Sequence, residues 1–172
     1  MQVFLVKPTT ELQAEYLAFY QEWKNSGEPF VPWVIGKDPS DFAAMLQSMR
    51  DSAEGKGLPD GWVPDSTYWL MTADRTVVGA VNIRHRLTEG LLHAGGHIGY
   101  GIRPSERRKG YAARLLELAL GKTKELGIDR ALVVCDADNT ASERTILKNG
   151  GVRAEDYIEE DGNVIRRFWI QL

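Results

Sequence analysis

Gly95-Gly-His-Ile-Gly-Tyr-Gly-Ile-Arg-Pro-Ser-Glu-Arg-Arg-Lys-Gly-Tyr-Ala112 is the stretch on which the fold turns. A glycine-punctuated apolar strand stops at Pro104, a cationic turn follows from Arg107 to Gly110, and an amphipathic helix begins that carries Leu115, Leu116 and Ala119. A helix N-terminus has unpaired backbone N–H groups and a partial positive charge, so a loop that delivers glycine there seats a phosphate against bare backbone. Arg107, Arg108 and Lys109 add charge-assisted contacts to a polyanion, and Gly110 permits close approach. The competing reading is a solvated turn that only caps a helix, and Arg-Arg-Lys-Gly alone is too short to choose between the two.

Outward from this stretch, periodicity predicts a strand over 2–6 and a helix capped by Thr9 or Thr10, with Leu12, Tyr16, Phe19, Tyr20 and Trp23 on one face. Asp38-Pro39 opens a second helix with Phe42, Met45, Leu46 and Met49 inward. Irregular segments over 26–37 and 51–66 flank that helix, and Trp33 and Trp62 on them either plug the core edge or wall an acceptor pocket. A hairpin over 68–85 turns at Asp74-Arg75, and 91–103 supplies the next strand. A helix over 107–126 precedes a strand over 131–135 that lacks alternation and so is covered on both faces. Asn139 begins the last helix, and a hairpin over 152–160 and 163–171 turns tightly at Asp161-Gly162. The resulting order is β-α-α-β-β-β-α-β-α-β-β.

Composition narrows the function classes. The 172 residues, 43% hydrophobic and 26% charged, suit one domain spanning 1–172 with a real core. A net charge of −3, with cations grouped only at Arg107–Lys109 and Arg166-Arg167, favours a small anionic ligand over nucleic acid. One cysteine, Cys135, excludes an intrachain disulfide, and its distance in sequence from His85, His93 and His97 gives no metal-site pattern. No signal peptide or long apolar run is legible, so a cytoplasmic location without membrane partners is expected.

Two segments resemble a known family. Arg107-x-x-Gly110-x-Ala112 is similar to the Arg/Gln-x-x-Gly-x-Gly/Ala signature of the GNAT superfamily of N-acetyltransferases. Downstream, Asn139-Thr-Ala-Ser142 through Lys148-Asn-Gly150 resembles the Asn-x-x-Ser…Lys-x-Gly segment of the branch that acetylates ribosomal-protein N-termini, as does Ile98-Gly99-Tyr100. The resemblance spans about Thr67 to the C-terminus. It implies an α/β (α+β) GNAT fold, with a mixed, mostly antiparallel central sheet of about seven strands and four helices. It also implies acetyl-CoA as donor to a small-molecule or peptide amine, and leaves a homodimer open.

On that resemblance, the pyrophosphate meets Arg107, Arg108, Lys109, Gly110, Tyr111 and Ala112. The pantetheine arm lies where the strand through Ile98 and the strand through Ala131 splay apart, near Gly101, Ile102 and Asn139. Backbone N–H groups at Gly101 and Ile102 are the expected donors to the acyl oxygen. His97 is the leading candidate base, against a structural role, with His85 and Glu89 as rivals. Many members carry a tyrosine acid where this chain has Ile146, so Ser142 is the candidate acid, against a first-turn helix bond. Cys135 is not expected to act as a nucleophile. The second functional class is a non-catalytic acyl-CoA-binding module.

Overall fold

The computed structural model describes residues 2–172, and in them the apolar patterns become eight strands and four α-helices. β1 (Val3–Val6) leads through a short turn capped by Thr9 into α1 (Gln13–Ser26), which Gly27 ends in the left-handed conformation at φ 73°. α2 (Phe42–Ala53) starts later than Asp38-Pro39 predicts. Asp38 spends its carboxylate on a local turn, accepting the Ser40 N–H at 2.9 Å, and Asp41 caps the helix by accepting the Ala44 N–H at 3.1 Å.

β2 (Asp65–Thr72), β3 (Val77–Arg84) and β4 (Ile98–Ile102) follow. β4 is shorter than the predicted 91–103, because Leu91–Gly95 winds into a π-helical turn after Thr88 takes the Leu91 N–H. Gly96, at φ 67°, then redirects the chain, and a Cβ there would lie 2.6 Å from the Leu132 carbonyl oxygen. α3 (Tyr111–Glu125) begins four residues after Arg107, since Arg108 and Gly110 both adopt left-handed backbone. β5 (Arg130–Asp136), α4 (Thr140–Lys148), β6 (Val152–Arg153), β7 (Tyr157–Ile158) and β8 (Val164–Gln171) complete the chain.

The last hairpin departs from its prediction twice. Its first strand is broken at 154–156: Val152 pairs with Trp169, but Tyr157 pairs with Ile165, one residue out of step. Its turn is not a two-residue primed turn. Glu159 N–H bonds the Asn163 carbonyl across a three-residue loop in which Gly162 sits at φ 88°, the form with a glycine bulge.

The strands form two antiparallel ladders, β1-β2-β3-β4 and β5-β8-β6 with β7 on β8. One face of the first ladder packs Trp69 and Ala80 under α1 and α2, with Tyr16 stacked on Trp69 at 4.2 Å. The opposite face joins Val78, Val81 and Ile83 to Leu115, Leu116 and Ala119 of α3 and to Val133 and Phe168 of the second ladder. Burying one such leucine contributes roughly 1.5–3 kcal/mol, so α3 is the clamp that holds the ladders together. The order of elements and the mostly antiparallel α/β architecture are those the resemblance implies.

Candidate active site

Where the ladders meet, they touch and then part. The His97 N–H bonds the Leu132 carbonyl at 2.7 Å, and the Leu132 N–H bonds His97 Nδ1 at 2.9 Å. Beyond that point β5 pairs with β8 and β4 keeps one open edge. Bonds from Arg84 N–H to the His97 carbonyl and from Arg103 N–H to the Val78 carbonyl fix which groups face that edge. By antiparallel alternation, the amides of Gly99 and Gly101 point to β3, and those of Tyr100 and Ile102 point into the opening. Arg107 Nε bonding the Ile102 carbonyl at 3.1 Å agrees with this direction.

The Gly101 amide is therefore spent in the ladder, and Tyr100 joins Ile102 as an edge donor. Gly101 serves instead by lacking a side chain: a Cβ would lie within 1.9 Å of the Val31 carbonyl oxygen on the loop that arches over β4.

The opening widens into a cleft of about 710 Å³, bounded by β4, the first turns of α3 and α4, and the segment after α1. At its α3 end the helix has Gly110 as its cap residue and no side-chain cap, so first-turn N–H groups face the cleft. Left-handed Arg108 and Gly110 bend the preceding backbone into a concave turn, the kind that gathers N–H groups around an anion.

The three cations of the turn have different duties. Arg107 is held by Glu28 at 2.9 Å and lies over the Trp23 ring, while Lys109 pairs with Glu106 at 2.9 Å and does not line the cleft. Arg108 has no acidic partner among the described residues. Two further cations line the cleft, Arg144 and Lys148 of α4; the sequence reading gave Arg144 no place and named Lys148 only as part of the family-like segment. Their spacing of four puts both on one helical face with Ser142's neighbours, a signal legible once α4 is known to border the cleft.

At the narrow end, Asn139 caps α4 by accepting the Ser142 N–H at 3.1 Å, which frees the serine hydroxyl from the helix. That hydroxyl lies 2.8 Å from the Tyr100 hydroxyl, bridging α4 and β4 across the opening. Burial pushes the Tyr100 phenol up to about 12, so it stays protonated and remains a donor. Tyr100 enters the sequence reading only within the Ile98-Gly99-Tyr100 resemblance, with no role of its own. Ile146 is fully buried in the core, and burial with the nearby Glu143 pushes the Cys135 thiol up to about 11, away from nucleophilic use.

His97 does not line the cleft; its Nδ1 lone pair is occupied by the Leu132 N–H. Burial, reinforced by Arg84, pushes it from 6.5 down to about 4, so it is neutral at pH 7 with its proton on Nε2. A base needs a free lone pair, and this ring offers none. It pins β4 to β5. His85 bonds Ser66 at 2.7 Å, burial lowers its pKa, and neither it nor exposed Glu89 lines the cleft.

A stability prediction follows for His97. Its folded pKa lies below its unfolded value, so as pH falls the unfolded chain takes up the proton first. The stability contributed by the neutral ring is intact above pH 6.5 and is lost as pH falls towards about 4. His97→Gln is expected to flatten the dependence of Tm on pH across that window. Melts with an unchanged slope would remove His97 as the cause.

Trp33 and Trp62 meet edge to face at 5.3 Å, 42% and 48% exposed, and both line a second cavity of about 330 Å³. They wall an opening and are not core plugs.

Residues 2–152 match the family model described as an acetyltransferase (GNAT) domain. No curated protein sequence matches the chain significantly. Among solved structures, it is similar to the microcin C7 self-immunity acetyltransferase MccE in complex with acetyl-CoA and AMP, at 18% identity over 99% of this chain and 93% of that one, TM-score 0.69. It is similar to Mycobacterium smegmatis RimJ in complex with CoA-disulfide, at 18% identity over 98% of this chain and 81% of that one, TM-score 0.71. It also resembles a spermidine/spermine N-acetyltransferase from Vibrio cholerae, at 13% identity over 99% and 94%, TM-score 0.67. At these identities the likeness is one of fold.

Proposed function

The chain belongs to the acetyltransferase (GNAT) domain family, which uses acetyl-CoA, and on that premise we propose that it transfers the acetyl group directly to a primary amine. The observation that carries this reading is one cleft with an uncapped helix N-terminus at one end and a half-buried hydroxyl pair at the other. The whole chain is taken as the working domain, because β8, beyond the matched segment, is the partner that holds β5 in place.

The cleft fits the donor. Amides of α3, with Arg108, Arg144 and Lys148, suit its phosphates, and the open edge of β4 suits an arm that bonds as an added strand does. When bound, acetyl-CoA supplies an activated acyl thioester. The Tyr100 and Ile102 amides are the edge groups able to polarise an acyl oxygen. Asn139 holds the first turn of α4 so that Ser142 Oγ faces β4.

Ser142 and Tyr100 then stabilise the departing sulfur. A thiol titrates near ~8.5, so full proton transfer from a phenol at about 12 runs uphill by ~5 kcal/mol. The pair therefore acts by hydrogen-bonding the thiolate as charge develops, and its final proton comes from solvent or the amine. With His97 pinned, the amine loses its proton to water. An acyl-enzyme is disfavoured by the raised Cys135 thiol.

The alternative, a binding module without turnover, is disfavoured by the Tyr100–Ser142 pair, which pure binding does not require. Following free thiol released from acetyl-CoA against a panel of primary amines tests the reading. Amine-dependent release at turnover rates is expected, whereas tight binding with no release from any amine would establish the module.

A further inference from the structure

The second cavity has a floor that no step above uses. Strand register places Asp65 opposite Arg84, whose N–H bonds the His97 carbonyl, and Thr67, Asn82 and Gly99 on the next rung, on the face beneath the α1–α2 connection. Asp65 and Asn82 are buried, at 6% and 0% exposure, and Asn82 Nδ2 donates to Asp65 at 2.7 Å and to Thr67 at 3.2 Å. These two bonds fix the orientation of the amide, since both partners accept.

Asn82 Oδ1 is left with no partner, an orphan acceptor that destabilises the fold until a donor reaches it. Arg84 gives Nη1 to the Gly95 and Gly96 carbonyls, and its Nη2 has no partner among the described residues. Side by side, the cavity offers acceptors at Asp65 and Asn82 and a cationic donor at Arg84, between walls of Trp33 and Trp62. Gly99 lies between this floor and the Tyr100 rung; a Cβ there would stand 3.5 Å from Pro32 Cβ and 3.6 Å from the Arg84 guanidinium, so Pro32 and Arg84 form the partition between the cavity and the cleft.

We propose that this cavity is the acceptor site and that its acceptor is a free α-amino acid with an apolar or aromatic side chain. Its amine is held by Asp65 and Asn82, its carboxylate by Arg84, and its side chain lies against the two tryptophans. This rests on the transferase reading above. A simple monoamine leaves Arg84 unanswered, and a polyamine places a second cation against it. A peptide N-terminus brings a neutral carbonyl where a carboxylate fits, and its chain must still leave between Trp33 and Trp62.

The test is thiol release with four matched acceptors: phenylalanine, its carboxamide, phenethylamine and a tripeptide beginning with phenylalanine, with leucine and its amide as a second series. The free amino acid is expected to exceed each of the others at least tenfold in kcat/KM. Arg84→Gln is expected to bring that preference close to one. Because Arg84 also braces Gly95 and Gly96, the wild-type panel stands as the independent measurement if that variant does not fold. Equal or faster reaction of the carboxamide or the tripeptide overturns the amino-acid assignment and leaves the transferase standing. Silence from every amine overturns both.

Discussion

Gly110→Glu will abolish acetyl-CoA binding, with affinity falling more than about 100-fold by calorimetry. The side chain would stand at the cap position of α3, beside the amides that face the cleft. A carboxylate there can accept those N–H groups itself and repels a second anion. Gly110 also sits at φ 85°, so any side chain costs roughly 1–2 kcal/mol of backbone strain. In a chain of this size that amounts to a fall of only ~2–8 °C in Tm, so the variant remains folded. Gly110→Asn separates the causes, because asparagine tolerates left-handed backbone and adds no charge; it should bind within a few-fold of wild type. A folded Glu variant with unchanged affinity would place the phosphate site elsewhere.

Ser142→Ala and Tyr100→Phe will each slow turnover and leave acetyl-CoA affinity nearly untouched. A hydrogen bond to a developing anion is worth ~1.5–3 kcal/mol, so kcat should fall between about 10- and 150-fold. The two hydroxyls are 2.8 Å apart and act on one sulfur, so the double variant should be little worse than the worse single one. A role confined to packing predicts the opposite pattern, with additive losses in Tm and unchanged kcat. Measuring kcat at saturating amine beside the calorimetric affinity distinguishes the two.

Much of the site was legible because its chemistry depends on local backbone. Gly110 announces a left-handed residue before a helix, and Asn139 with Ser142 three residues later announces a cap, whichever partners arrive. The duties of charged side chains were not legible. Arg107, Arg108 and Lys109 are equal in sequence, yet Glu28, 79 residues away, occupies the first and Glu106 the third. His97 is a candidate base by its residue type and its place two residues before Gly99 on the cofactor strand. Its lone pair was committed by Leu132, on a strand 35 residues later.

The same division runs through the whole protein. Periodicity, caps and glycine placement are properties of neighbouring residues, and by themselves they set the order of elements and a candidate anion site at α3, while the choice of acetyl-CoA as donor came only with the family resemblance. Strand 91–103 and the final turn failed where a local bond, from Thr88 or around Gly162, outweighed the apolar pattern. Only the tertiary structure decided that β4 parts from β5 after a single histidine-pinned contact, that Tyr100 meets Ser142, and that Asp65, Asn82 and Arg84 share a floor. Those facts depend on strand register and on which lone pairs and N–H groups burial leaves unpaired, and both are settled only when distant segments pack.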